Sequence, residues 1–165
     1  MEKFKKLADD YNLWIIEDAC HAPGGYLTDS QGVNQYCVNV NFADLAIFTA
    51  HPVKHIATGE GGMITTNDKN LYDRLILLRT HGITKNEETF QNSIEFAGGI
   101  DFYPGWYMEM QELGYNYRIT DLQCALGISQ LYRADQGLGR RREIADNYYQ
   151  AFKDKSYIKG QSGVV

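Results

Sequence analysis

Apolar positions in the first part of the chain follow helical spacing once and then form short continuous runs. The helical spacing predicts a short amphipathic helix over residues 2–11. Continuous apolar runs at residues 13–16 and 45–49, and a further strand at 63–66 after a glycine-rich turn, are typical of strands covered on both faces. The polar, glycine-containing stretch 23–41 predicts a long loop with room for a hairpin.

The middle of the chain combines one capped helix with a long irregular stretch. Asn67 or Asp68 is placed to cap a helix that ends near Gly82 and carries leucines along one face. Residues 83–112 are rich in glycine and aromatic residues and follow neither the helix nor the strand period. A loop of that length without elements of its own is uncommon, so the segment is either functional or contains short elements that periodicity does not reveal.

Two more helices are predicted in the last third of the chain. Thr120 and Gln123 form a capping box ahead of a leucine stripe. A glycine-containing break at Gln136 and Gly137 separates this helix from a last one over residues 138–155. Strands flanked by helices in this order predict an α/β sheet protein.

Composition and charge narrow the class of protein. The chain has 165 residues, of which 44% are hydrophobic and 22% charged, so it can bury a core without disulfides or a structural metal. It has 16 Lys and Arg residues and 21 Asp and Glu residues, which gives a net charge of -5. We expect no nucleic-acid partner, because binding a phosphate backbone requires many matched cations. The basic cluster Arg140 to Arg142 is more typical of a solvated helix face.

Apolar run length and cysteine usage bear on the cell compartment. The longest uninterrupted apolar stretches, such as Leu45 to Phe48, are far shorter than the roughly 20 residues that span a bilayer. The three cysteines, Cys20, Cys37 and Cys124, are odd in number and form no C-x-x-C pair. A disulfide framework or zinc knuckle is therefore not expected, and we predict a cytoplasmic protein with no membrane partner.

One acid, one lysine and a glycine run are the residues with the most distinctive chemistry. Asp18 follows one predicted strand, Lys54 follows another, and the glycine run 59–62 comes shortly afterwards. Ligands of open α/β sheets bind beyond the carboxyl ends of strands, where a partly desolvated lysine amine can attack an aldehyde cofactor. A carboxylate there suits the ring nitrogen of pyridoxal phosphate. The same spacing also fits a surface lysine, an acid that caps a turn, and glycines that shape a tight connection.

A competing pattern would make a metal site. His51 and His55 are four residues apart, with Glu60 and His21 as possible further ligands. Pro52 biases His51 away from the helical conformation that would bring both histidines to one face. We therefore predict no metal and keep the metal site as the weaker alternative.

Four motifs, in this order along the chain, resemble those of one protein family. Residues 17–22 (EDACHA), 49–54 (TAHPVK), 59–62 (GEGG) and 113–123 (LGYNYRITDLQ) closely resemble the DegT/DnrJ-type sugar aminotransferases, which are pyridoxal-phosphate enzymes. Within that family, residues 106–131 are most similar to nucleotide-sugar transaminases of the pseudaminic acid pathway. The resemblance covers nearly the whole chain.

The resemblance implies a fold and a domain division. It implies an α/β fold, part of the large domain of a fold-type I, aspartate aminotransferase-like enzyme with a mixed sheet flanked by helices. Residues 1–136 would be a partial cofactor-binding large domain, and residues 137–165 a linker helix and the start of the small C-terminal domain. Family members are longer, so we expect the chain to be a central fragment.

The resemblance also implies roles for five residues. Lys54 matches the lysine that carries pyridoxal 5'-phosphate as a Schiff base and then acts as general base, and Asp18 matches the partner of the pyridine nitrogen. His21 matches a position beside the cofactor ring. Thr49 stands where the family has a serine that binds the cofactor phosphate. Asn116 matches an asparagine that reaches the phosphate of the other subunit, which implies a homodimer.

The implied reaction has two substrates. An amino-acid donor, glutamate, would give its amino group to a 4-keto-6-deoxy nucleotide-sugar. The alternative is a catalytically incompetent α/β fragment that acts only with a complementing chain.

Overall fold

The computed structural model describes residues 1–160, which form helices and short strands. The elements in chain order are α1 (Glu2–Tyr11), β1 (Ile16–Asp18), β2 (Tyr26–Thr28), β3 (Asn34–Tyr36), β4 (Leu45–Thr49), β5 (Gly62–Thr65), α2 (Lys69–Arg79), β6 (Ile83–Thr84), β7 (Glu109–Met110), α3 (Asp121–Leu131) and α4 (Ala134–Phe152). The strands form one sheet in the order β1-β4-β5 and two pairs, β2-β3 and β6-β7. This arrangement confirms the predicted α/β class.

The chain divides into two compact units, which are described separately. The first unit comprises residues 1–17, 39–46 and 64–120. The second comprises residues 18–38 and 47–63 together with the described residues from 121 onward.

In the first unit, the end of α1 explains why the first strand was predicted in the wrong place. Asn12 takes up the left-handed conformation with φ 53°, and the N–H of Leu13 donates to the carbonyl of Ala8 at 2.9 Å. These bonds turn the chain, so Leu13 and Trp14 remain exposed. The strand begins at Ile16 instead of residue 13. Glu17 and Asp18 consequently lie within β1, where the sequence had placed them after it.

The start of α2 confirms a capped helix and identifies the cap. The Asp68 side chain accepts hydrogen bonds from the N–H groups of Asn70 and Leu71, which would otherwise lack partners at a helix start. Past the end of the helix, Gly82 has φ +67°, and a Cβ atom there would overlap the carbonyl oxygen of Glu112. Glycine therefore allows the two arms of the next pair, β6 and β7, to approach.

Residues 83–112, also in the first unit, are an ordered loop closed by a strand pair. Ile83 pairs with Met110 and Thr84 with Glu109. Glu109, the first residue of β7, is buried. Its carboxylate accepts hydrogen bonds from the N–H of Gln91 at 2.7 Å, the N–H of Asn92 at 2.9 Å and the Tyr107 hydroxyl at 2.9 Å. The segment therefore contains short elements that periodicity did not reveal.

In the second unit, the stretch after β1 contains the hairpin for which the sequence left room. Strands β2 and β3 pair antiparallel, with Tyr26 opposite Tyr36. Asp29 shapes the turn, because one carboxylate oxygen accepts from the N–H groups of Gln31 and Val33 and the other from the Gln35 side chain. A carboxylate that satisfies the backbone of a turn in this way is typical of Asp at such positions.

The last two helices of the second unit correct a predicted boundary. Gln136 and Gly137 lie inside α4, and the interruption falls earlier, at Tyr132 and Arg133. The N–H of Gly137 donates to the carbonyl of Arg133 at 2.9 Å, so the helix continues through the glycine. The proposed division at residue 136 stays a prediction, and residues 161–165 of its second part lie outside the described chain. Over residues 1–160, no helix is long and apolar enough to cross a membrane.

Candidate active site

The loop between β4 and β5 carries Lys54 and is closed by its own backbone. The N–H of Ala50 donates to the carbonyl of Gly61 at 2.8 Å, and the N–H of Thr58 donates to the carbonyl of Ala50 at 2.9 Å. Within the loop, the N–H of Lys54 donates to the carbonyl of His51 at 2.9 Å, which forms a turn. Lys54 is half-buried as a result.

The amine of Lys54 meets His21, the third residue after β1. Lys54 Nζ lies 2.5 Å from His21 Nε2. An ammonium group has only hydrogens to donate, so Nε2 is the acceptor when Lys54 is protonated. The structure therefore brings into contact two residues to which the resemblance had given separate roles.

Asp18 adds a negative charge to the same unit. Its Oδ1 accepts a hydrogen bond from the N–H of Cys20 at 3.0 Å. Hydrogen bonds from the Cys20 side chain and backbone lower the pKa of Asp18, and His21 and Lys54 lower it further, against a smaller opposing effect of desolvation. The same contact with Asp18 raises the pKa of the Cys20 thiol. Asp18 is therefore an ionised carboxylate at neutral pH.

Thr49 and Asn116 lie in different units. Thr49, the last residue of β4, accepts a hydrogen bond on Oγ1 from the N–H of His51 at 3.3 Å, which leaves its hydroxyl hydrogen available to donate. Asn116 belongs to the first unit, where Oδ1 accepts from the N–H of Arg118 at 3.3 Å and the backbone bridges to Thr80. Asp18, His21, Thr49 and Lys54 all belong to the second unit.

The alternative metal site does not have a ligand set. His51 Nε2 and Glu60 Oε1 are 3.9 Å apart, and His51 Nδ1 already accepts from the N–H of Val53. His55 has a lowered pKa, because desolvation and then the nearby charge of Arg141 disfavour its protonated form. Among residues 1–160, no three His, Cys, Asp or Glu side chains come together at a spacing that holds a metal ion.

Gln123 and Thr58, which the sequence left without a role at the site, form hydrogen bonds to the glycine run 59–62. Gln123 Nε2 and Thr58 Oγ1 both donate to the carbonyl oxygen of Glu60, at 2.8 and 2.7 Å. The sequence had assigned Gln123 to a capping box and to the fourth family motif, without a role at the site. A bond that spans 63 residues of sequence leaves no local pattern by which it could have been found.

The chemistry of these side chains fits pyridoxal phosphate. A half-buried primary amine beside a proton acceptor suits an aldehyde, an ionised carboxylate suits a protonated ring nitrogen, and a hydroxyl that can donate suits a phosphate. The residues present in the second unit therefore match each reactive part of that cofactor.

Known proteins resemble this chain over nearly its whole length. A transaminase of Campylobacter jejuni, named UDP-4-amino-4,6-dideoxy-N-acetyl-beta-L-altrosamine transaminase, is 40% identical over 158 residues, covering 96% of this chain and 36% of its own. GDP-perosamine synthase of Escherichia coli O157:H7 is 36% identical over 148 residues, covering 90% of this chain and 34% of its own. The chain thus spans about a third of the length of these relatives.

Solved structures agree with these matches. PseC of Helicobacter pylori, an aminotransferase involved in the biosynthesis of pseudoaminic acid, matches with a TM-score of 0.72 and 32% identity, covering 94% of this chain and 36% of that one. The PLP-form of a putative sugar aminotransferase of Streptococcus pneumoniae matches with a TM-score of 0.66 and 25% identity, covering 93% of this chain and 36% of that one. These matches confirm a partial fold-type I domain.

A family profile, that of the DegT/DnrJ/EryC1/StrS aminotransferases, matches residues 1–163. It includes all four motifs and every residue of the candidate site. The chain belongs to the DegT/DnrJ/EryC1/StrS aminotransferase family.

Proposed function

We propose that this chain forms the cofactor-binding part of a pyridoxal-phosphate-dependent sugar aminotransferase. The observation that carries the proposal is the 2.5 Å contact between Lys54 Nζ and His21 Nε2, in the same unit as the ionised Asp18. An amine held against a proton acceptor can become the uncharged nucleophile that an aldehyde requires. A lysine on an exposed surface would need no such partner.

Each candidate residue has its own task in the proposed reaction. When bound, pyridoxal phosphate supplies an electron sink for carbon–hydrogen bond cleavage next to the donor's amino group. Lys54 Nζ would condense with the cofactor aldehyde with loss of water, and would later take up and return the donor's proton. His21 Nε2 would accept the proton that the Lys54 ammonium loses. The Asp18 carboxylate holds the positive charge of the ring nitrogen. The hydroxyl of Thr49 binds the phosphate.

The substrates follow from the relatives. Because a relative is named as a UDP-4-amino-4,6-dideoxy-N-acetyl-beta-L-altrosamine transaminase, we propose a 4-keto-6-deoxy nucleotide-sugar as acceptor, as in the pseudaminic acid pathway. Glutamate, the donor that the family resemblance implies, is proposed as amino donor. We further propose a homodimer, in which Asn116 of one copy binds the cofactor phosphate held by the other. Cys20, Cys37 and Cys124 are not joined in disulfides, which suits the reducing cytoplasm as the location.

A second candidate is a catalytically incompetent chain that needs a complementing partner. The observation that favours it is length, because the chain covers 36% of its Campylobacter jejuni relative. Under this alternative the cofactor residues are present, but turnover requires segments supplied by another chain.

Covalent trapping tests the proposal directly. The chain is incubated with pyridoxal phosphate and reduced with borohydride, and the modified lysine is located by peptide mass. We expect labelling at Lys54, its loss in Lys54→Ala, and unchanged labelling in Lys85→Ala, which removes an exposed lysine of the other unit. Labelling scattered over several lysines would overturn the proposal for this chain.

Turnover separates the two candidates. Labelled chain that converts glutamate and a 4-keto nucleotide-sugar is a competent enzyme. Labelled chain without turnover supports the complementation alternative, and the Lys54→Ala test then belongs in the longer protein.

A further inference from the structure

We propose that Thr58 and Gln123 are positioning residues that fix the Lys54 loop against α3. The proposal rests on the proposed function, because it gives these residues the task of presenting the Lys54 amine. Neither residue touches Lys54 in the contacts described above. Their effect passes through the carbonyl of Glu60 and the backbone bonds that close the loop.

The carbonyl oxygen of Glu60 is held from two sides. Thr58 Oγ1 donates to it at 2.7 Å from within the loop, and Gln123 Nε2 donates to it at 2.8 Å from α3. A carbonyl oxygen has two lone pairs, so the two donors satisfy its acceptor capacity. Thr58 is only 6% exposed, and the bond is therefore protected from competition with water.

A glycine allows the close fit between the loop and α3. Gly127 lies one helical turn after Gln123 and faces the same way. A Cβ atom at Gly127 would lie 3.1 Å from the Thr58 methyl carbon Cγ2, closer than ordinary side-chain contacts. The helix therefore approaches the loop closely at two successive turns, once through a hydrogen bond and once through van der Waals contact.

Thr58 links this contact to the backbone that carries Lys54. The N–H of Thr58 donates to the carbonyl of Ala50, and the N–H of Ala50 donates to the carbonyl of Gly61. Lys54 lies between these closing bonds, so its backbone position depends on them. Reacting groups must be held closely, since a displacement of about 1 Å can cost on the order of 100-fold in rate.

Three substitutions isolate the two donors. Thr58→Val removes the hydroxyl and keeps the shape, Thr58→Ser keeps the hydroxyl, and Gln123→Met removes the amide donor at nearly constant length. Ser129→Ala, at an exposed position on α3, serves as the matched control. Far-UV circular dichroism establishes that each variant is folded.

The first readout needs no cofactor. Amide hydrogen exchange is measured by NMR at Ala50 and Thr58, whose N–H groups form the closing bonds, and at Lys54, whose N–H donates to the carbonyl of His51. We expect Thr58→Val and Gln123→Met to accelerate exchange about five- to tenfold, as loss of one hydrogen bond implies. Thr58→Ser and Ser129→Ala should exchange at the rate of the unaltered chain.

The second readout is the rate of covalent pyridoxal-phosphate attachment at Lys54. We expect it to fall about tenfold in Thr58→Val and Gln123→Met and to recover in Thr58→Ser. Unchanged exchange in both variants overturns the proposal, and faster exchange with an unchanged attachment rate overturns the positioning role. If the unaltered chain takes up no cofactor, the proposed function fails separately, and exchange at Lys54 still decides whether the two donors fix the loop.

Discussion

Lys54 Nζ and His21 Nε2 lie 2.5 Å apart across 33 residues of sequence, with the histidine as acceptor. The contact gives His21 a more specific task than lining a cofactor ring. A lysine amine must lose a proton before it can attack an aldehyde, and the nearest acceptor decides how readily that happens. Under the proposed function, His21 would accept the proton that Lys54 loses.

Replacing His21 should slow cofactor attachment according to whether the new side chain can accept a hydrogen bond. We expect His21→Leu to slow attachment at Lys54 about 100-fold, the lower range for losing a general base. His21→Gln offers an amide oxygen and should stay within about tenfold of the unaltered chain. The measurement is the time course of borohydride-trapped label. An unchanged rate in His21→Leu would show that His21 is not the proton acceptor.

The charge of Asp18 should set the acid limit of the reaction. Its pKa is lowered first by the Cys20 side chain, so the carboxylate stays ionised as pH falls and protonates only below its ordinary range. Activity that needs the anion is present above the lowered pKa and is lost as pH falls through it. Asp18→Asn has no charge at any pH, and we expect about a 100-fold lower rate of transamination in the longer protein.

Cys20→Ala provides the matched test of this cause. Without the thiol the pKa of Asp18 should rise, because the backbone bond from residue 20 remains but the side-chain bond is lost. The acid limb of the pH–rate profile should then move to higher pH, while the rate at neutral pH changes little. If the acid limb lies at the same pH in both proteins, protonation of Asp18 is not its cause.

Local patterns predicted the elements whose signals are short-range. The bounds of β4, Leu45–Thr49, agree with the predicted strand to the residue, because an apolar run flanked by polar residues defines it on both sides. The cap at Asp68 follows from side-chain bonds within three residues. The hairpin within 23–41 likewise depends on a turn that one aspartate organises.

The wrongly predicted element boundaries lie where backbone conformation and backbone hydrogen bonds, which composition does not reveal, decided the structure. The apolar run 13–16 resembled a buried strand, but the left-handed Asn12 turned it outward. Gly137 resembled a break, but one helical bond carries α4 through it. The contacts that build the candidate site, from Lys54 to His21 and from Gln123 to Glu60, join distant parts of the chain and leave no periodic trace. Only the family resemblance brought Lys54 and His21 together in advance.

The loop between β6 and β7 should open at low pH because its centre is a carboxylate. Desolvation alone would raise the pKa of Glu109, but hydrogen bonds from the backbone of Gln91 and Asn92 and from the Tyr107 side chain outweigh it, so the pKa is lowered. The stabilisation is thus fully present above the ordinary pKa of 4.5 and is lost as pH falls through the lower folded value. The expected result is a high protection factor for the Asn92 amide at neutral pH and a low one in acid, each relative to the intrinsic exchange rate at that pH.

Two substitutions identify the titrating group of this loop. Glu109→Gln should accelerate exchange at Asn92 at neutral pH about fivefold or more and abolish its acid dependence, because the amide no longer gains or loses a charge. Glu88→Gln, at an exposed position in the same loop, should leave the acid transition in place. Persistence of the transition in Glu109→Gln would assign it to another group.

The edge of the sheet should make the isolated chain associate. Strand β5 stands at one end of the order β1-β4-β5, and its side chains Met63 and Ile64 are both more than half exposed. An edge strand with exposed apolar side chains favours pairing with another copy. We expect the apparent mass by light scattering to rise with concentration in the micromolar range.

Ile64→Lys should suppress the rise, while Gln31→Lys, which adds the same charge at an exposed turn, should not. A constant monomer mass in the unaltered chain would contradict the expectation, and equal suppression by both variants would attribute association to net charge instead of this edge.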